Sequence, residues 1–226
     1  MGAIEDNMIS KWILAGFIVA LVSFNEASAT KMLSKRETNT IDVSLKSDLK
    51  PSELRIYGNQ NNPASIYVFS SLSCPHCSVF HKELMPDIMQ HFIQTDKAKL
   101  VYVEMPYDAK AMTGTMYARC VQPHNYNAYM AKMFHNQEVW MNAEKPRRMM
   151  LDYALSLGED EERLEQCVSN WSLKKQVTEQ RNNLSELYLV RSLPTVVVVK
   201  NHTPKKFLGT DKQIILQEIN QILESK

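Results

Sequence analysis

The chain has 226 residues, 44% hydrophobic and 23% charged, a globular composition long enough for one large core or for a core with an inserted subdomain. Its 26 basic residues against 25 acidic ones give a formal net charge of +1. No large field is available to draw nucleic acid or an anionic membrane surface, so electrostatic partners are not expected as its main business.

In chain order, the first element is the apolar run "WILAGFIVALVSF" from Trp12 to Phe24, preceded by Lys11 and followed by Ala27-Ser28-Ala29. Small residues in that pattern mark a secretory cleavage site, so residues 1–29 read as a signal peptide and Thr30 as the mature start. Glu5 and Asp6 are out of place in a basic leader, and initiation at Met8 would remove both. An uncleaved anchor is the alternative, although the run is short beside the roughly 20 residues of a membrane span. Export places the four cysteines in an oxidising compartment, where disulfide chemistry is the first reading.

"SIYVFSSL", Ser65 to Leu72, is β-branched and aromatic and predicts a strand. It runs into Cys74-Pro75-His76-Cys77, after which Phe80, Leu84, Ile88 and Phe92 recur at helical spacing through Thr95. Pro86 should kink that helix. The cysteine pair therefore sits at a strand-to-helix junction. A zinc site would need a second clustered pair of ligands, and Cys120 and Cys167 stand apart from each other. A purely structural bridge between Cys74 and Cys77 would close too short a loop to remove much unfolded-state entropy. Thiol exchange is the reading that remains. Pro75 suits the first helical turn, leaving Cys74 near the N-cap, where free amides and the helix dipole favour a thiolate. Such placement brings a thiol from about 8.5 into roughly the 3.5–7.5 range, and a cationic His76 adds to it. Cys77, one turn inward, is expected to be the buried resolving thiol beside a more exposed Cys74. His81 and His91 read as surface or packing histidines.

"KLVYVEM", Lys99 to Met105, predicts the next strand. From Asp108 to Asn182 the pattern is helical, with Cys120, Tyr129, Phe134, Leu151, Leu155, Leu164 and Val168 at three-to-four spacing and breaks at Pro123, near His135, at Pro146 and at Gly158. A Cys120–Cys167 bridge would close a loop of about 48 residues and contribute about 4 kcal/mol; free buried cysteines are the alternative. Methionines crowd the stretch from Met85 to Met150. Most should pack between helices, while Met105, Met112 or Met116 could line a soft surface near the site. "TVVVV" and "KKFLG" then predict paired strands. The last helix, from "DKQIILQEINQILESK", is amphipathic and capped by Asp211.

The strand, the Cys-Pro-His-Cys quartet, the helix and the later "VRSLPTVVVV" resemble the thioredoxin fold. The quartet behind an export signal, with about 117 residues separating Cys77 from Pro194, is similar to the DsbA family of disulfide oxidoreductases. The resemblance implies an α/β thioredoxin fold with an inserted helical subdomain: residues 30–107 and 183–226 forming the two parts of the thioredoxin domain, and 108–182 the insertion. It further implies a cis Pro194 packed beside Cys74 and Cys77, with Leu193 pairing with substrate backbone and Thr195 beside it among the substrate contacts. Pro75 and His76 would tune the catalytic pair. No cofactor or metal is implied. Expected partners are reduced or unfolded exported proteins and a DsbB-like membrane quinone reductase, the chain being a periplasmic monomer. One departure is clear: the family buries an acid six positions before the first cysteine, where this chain has Val68. The implied activity is introduction of disulfides through Cys74. An isomerase or reductase of the same fold, or a non-catalytic binding or chaperone module, are the alternatives.

Overall fold

A computed structural model describes residues 54–208 and 211–225. The expected signal peptide, residues 1–29, lies outside the described residues. Five strands form one mixed sheet: β1 (Arg55–Tyr57), β2 (Ser65–Ser70), β3 (Lys99–Glu104), β4 (Thr195–Lys200) and β5 (Thr203–Leu208). Their spatial order is β1-β3-β2-β4-β5, with β2 and β3 parallel and every other pair antiparallel. The central strands are buried on both faces, which is why β4 reads as an unbroken run of valines rather than as an alternation. β5 is an edge strand whose Pro204, Lys205 and Lys206 discourage further strand pairing. Asn201 and His202, both at positive φ, make the two-residue turn that joins it to β4. The three-residue β1 left no readable pattern in the sequence.

The helix expected through Thr95 is not continuous. α1 (Pro75–Glu83) ends at Leu84, α2 (Met85–Ile88) opens with Pro86 in its first turn, and a π-helical turn follows over Met89–Ile93. Pro86 has no amide hydrogen to give the preceding turn, so the helix must restart there. The wide turn still delivers Phe92 and Ile93 to the core.

Between β3 and β4 come α3 (Ala109–Cys120), a 3-10 turn (Pro123–Asn125), α4 (Tyr126–His135), α5 (Gln137–Asn142), α6 (Pro146–Leu155), α7 (Glu161–Val168) and α8 (Trp171–Leu187). Tyr129, Phe134, Leu151 and Leu164 are buried, and with Tyr117, Met133 and Trp140 they form a core continuous with one face of the sheet. That face also receives Ile215 and Ile219 from α9 (Lys212–Glu224), whose N-cap Asp211 accepts from the Ile214 amide. The expected boundary at residue 182 falls inside α8, which carries no Gly or Pro to mark an end. Leu184 and Tyr188, at and just beyond its last turn, cover Phe69, Val101, Val103 and Val197 on the opposite face of the sheet.

A buried polar cluster fastens the insertion to the sheet. Glu104, at the end of β3, takes Nε and Nη2 of Arg119 from α3 at 2.6 and 2.5 Å; Tyr126 of α4 donates to the same carboxylate, and Arg119 also donates to Gln180 of α8. Both charges are buried, so burial offsets much of their attraction, and the pair chiefly fixes where three helices meet β3. Within the insertion, a disulfide joins Cys120, the last residue of α3, to Cys167 in α7. Replacing both by alanine should lower unfolding stability by up to about 4 kcal/mol in a urea titration while leaving the fold intact. A change below about 0.5 kcal/mol would mean that the loop is already held by its other contacts.

Candidate active site

Cys74 is the N-cap of α1, with extended backbone (φ −83°, ψ 119°), and Pro75 follows inside the first turn. Its thiol pKa is lowered to about 6: the Cys77 thiol hydrogen-bonds to it, the amides of Cys77 and His76 face it and the charge of exposed His76 adds, together outweighing the cost of burial. Cys77 moves the opposite way, far above the ordinary thiol range, because its proton is held against Cys74 and because it is buried. The Ser71 amide, at the end of β2, donates to Cys77 Sγ at 3.4 Å. In exposure the pair differs less than the sequence suggests, Cys74 being 7% exposed and Cys77 0%. Of the two, only Cys74 keeps any exposed surface.

The loop before β4 closes over this turn. The Leu193–Pro194 peptide bond is cis, and the Leu193 carbonyl lies 3.8 Å from Cys74 Sγ, in position to accept from it. Thr195 is fully buried and donates to the Ser192 carbonyl, so it braces the loop from behind instead of facing a substrate. Of the three methionines expected near the site, Met116 is core and Met105 packs against the second face of the sheet. Exposed Tyr107, beside Ser73 and Cys74, is the large apolar group at the rim. Among the described residues, no three His, Cys, Asp or Glu side chains come together as a metal-ligand set.

Sequence reading missed the side chain that holds the turn. Gln137, in the first turn of α5 and 5% exposed, donates its amide to the carbonyls of Leu72 at 2.6 Å and Cys74 at 2.9 Å. Ser78 of α1 in turn donates to the Phe134 carbonyl at 2.8 Å. All three bonds span more than fifty residues, so no local pattern could have announced them. His81, read as a surface or packing histidine, stacks on Phe134 and also hydrogen-bonds to Tyr102 at 3.0 Å. Gln137→Leu, close in shape, would leave the Leu72 carbonyl buried without its donor, and should cost about 1–3 kcal/mol in chemical denaturation. An unchanged midpoint would show that water replaces the amide.

Residues 51–214 match the family model described as Thioredoxin. A Rickettsia bellii protein named "Putative protein-disulfide oxidoreductase" is 27% identical over 141 residues, covering 60% of this chain and 52% of its own length. A Rickettsia felis protein of the same name is 25% identical over 120 residues, covering 51% and 42%. The chain thus spans about half the length of the curated relatives it matches. Among solved structures, alpha-DsbA1 of Wolbachia pipientis superposes with a TM-score of 0.69 at 16% identity, over 77% of this chain and 93% of that one. DsbA of Chlamydia trachomatis gives 0.63 at 20% identity, over 79% and 96%. The chain belongs to the thioredoxin family, in the form that carries a helical subdomain between β3 and β4 as the DsbA structures do.

Proposed function

We propose that the protein is an exported thiol:disulfide oxidoreductase that introduces disulfides into newly secreted chains. The observation that carries the reading is the asymmetry of the pair: one thiol lowered to about 6 at a helix N-terminus, its partner raised and buried. A substrate thiolate attacks Cys74 Sγ, the Cys74–Cys77 bond breaks, and its electron pair leaves on Cys77 Sγ, which takes up a proton. A second substrate thiolate then attacks the substrate sulfur of the mixed disulfide. The substrate disulfide forms, and the enzyme keeps two electrons as a dithiol. A DsbB-like membrane quinone reductase, the partner that the family resemblance implies, would accept those electrons and restore the disulfide. The Leu193 carbonyl and amide, at the mouth of the site, suit pairing with an extended substrate backbone, and Tyr107 offers apolar contact beside it. Secretion through residues 1–29 would bring the enzyme to the periplasm. Among the described residues no helix is long and apolar enough to cross a membrane.

Cys74→Ser should abolish oxidation of a reduced, unfolded substrate. Cys77→Ser should accumulate a mixed disulfide through Cys74, seen as a shifted band on non-reducing gels. A Cys74→Ser variant that still oxidises substrate would sink the assignment.

Direction follows from linkage. The Cys74 pKa in the folded, reduced protein lies below its unfolded value, so the thiolate's contribution to stability is fully present above about 8.5 and is lost as pH falls through about 6. The oxidised protein has no such thiolate. The reduced form should therefore melt higher than the oxidised form at pH 8, with the gap shrinking toward pH 5, and His76→Ala should narrow it at pH 8. If the oxidised form melts higher at every pH, the pair is a reductant, and the reductase or isomerase reading replaces the oxidase.

A further inference from the structure

Whichever way electrons flow, Cys77 must gain a proton when it leaves Cys74 and lose one when it attacks, yet it is fully buried. At the position six before Cys74, where a carboxyl could have done this, Val68 is fully buried and apolar. The polar groups on the same side of the sheet are therefore the ones to examine. Ser70, the last residue of β2, is 1% exposed, and its hydroxyl has no hydrogen-bond partner of ordinary geometry. Ser70 follows Val68 on the same face, and Val68 pairs with Tyr102 across the parallel ladder. Tyr102, 2% exposed, hydrogen-bonds through its hydroxyl to His81 Nε2 at 3.0 Å. His81 stacks on Phe134 at 3.8 Å between ring centroids and lines an apolar cleft of about 370 Å³ together with Met85, Met89, Met130 and His135.

We propose that Ser70, Tyr102 and His81 form a proton relay connecting buried Cys77 to the cleft that Tyr102 and His81 line. The inference rests on the oxidoreductase reading and deepens it. When Cys77 attacks, its proton passes to Ser70 Oγ, the Ser70 proton to the Tyr102 hydroxyl oxygen, and the Tyr102 proton to His81 Nε2. The imidazole releases a proton from Nδ1 to cleft water. The thiolate forms its bond to Cys74 Sγ as the Cys74–substrate bond breaks, and the electron pair departs on the substrate sulfur. For release of Cys77 the same shifts run in reverse. The electrostatics agree: the Ser70 hydroxyl lowers the pKa of both Cys77 and Tyr102, against a larger rise from the Cys74 hydrogen bond and burial at Cys77 and from burial at Tyr102, and the charge of Cys77 raises Tyr102 further. Burial first, and then the charge of His135, keeps His81 neutral, as a carrier needing one free ring nitrogen requires. A buried hydroxyl without a hydrogen-bond partner, on the same sheet face as Tyr102, is costly to keep unless it has a function.

The test uses the reduced full-length protein mixed in stopped flow with an aromatic disulfide, 5,5′-dithiobis(2-nitrobenzoate). Attack by Cys74 releases the first thionitrobenzoate, and attack by Cys77 on the resulting mixed disulfide releases the second. Tyr102→Phe should slow the second phase about a hundredfold, the usual scale for a lost proton-transfer group, leaving the first phase unchanged. Ser70→Ala, a smaller change, should do the same, and in both the heavy-water effect on the second phase should differ from wild type. Second phases within twofold of wild type in both variants would overturn the relay while leaving the exchange reaction standing. If wild type itself releases only one equivalent, the exchange cycle falls and takes the relay with it.

Discussion

The hydrogen bond from the Cys77 thiol to Cys74 is the interaction on which the chemistry of the site depends. It stabilises one thiolate by holding the other thiol protonated, so the two sulfurs acquire opposite chemistry from identical side chains. That bond exists only while the first turn of α1 starts directly at the end of β2, with Ser71 donating to Cys77 and Pro75 filling a position that needs no amide. A junction so tight has no spare length, and each neighbouring element must meet it at a set place.

Three elements do so from different directions. The Leu193 carbonyl approaches Cys74 from the loop before β4, Gln137 reaches the Leu72 and Cys74 carbonyls from α5, and Ser78 fastens α1 to the end of α4. The insertion is thus part of the site's scaffold, since two of the three supports come from it. It is itself anchored to the sheet by the buried Glu104–Arg119 pair, which is joined by Tyr126 and Gln180, and is closed by the Cys120–Cys167 bridge. Charge and disulfide are used where helices must be located, and apolar packing where they need only be filled.

The site also separates two kinds of access. Cys74, beside Tyr107 and Leu193, keeps a little exposed surface, while Cys77 keeps none. A cleft lined by Met85, Met89 and Met130 includes Tyr102 and His81 but neither cysteine. Because the cleft lining includes neither cysteine, protons moving through it in the proposed relay would not need the surface at which Cys74 meets a protein substrate.

Much of this was legible along the chain, because the features concerned are local. Valine runs mark buried strands, Pro75 behind a cysteine marks a helix start, and Asp211 marks another, each acting within a turn or two of itself. The sequence alone therefore determined the strand-to-helix junction, the reactive pair and the helical character of the insertion. It misread what depends on distant partners: an α8 that crosses the expected boundary to cover the sheet, and a Thr195 turned inward. Gln137, Ser70, Tyr102 and His81 belong to no motif, and their roles come from which residues the fold brings within hydrogen-bonding reach. A glutamine or a tyrosine looks alike on any helix or strand, and only the tertiary structure, by burying it against a chosen carbonyl or thiol, decides what it does.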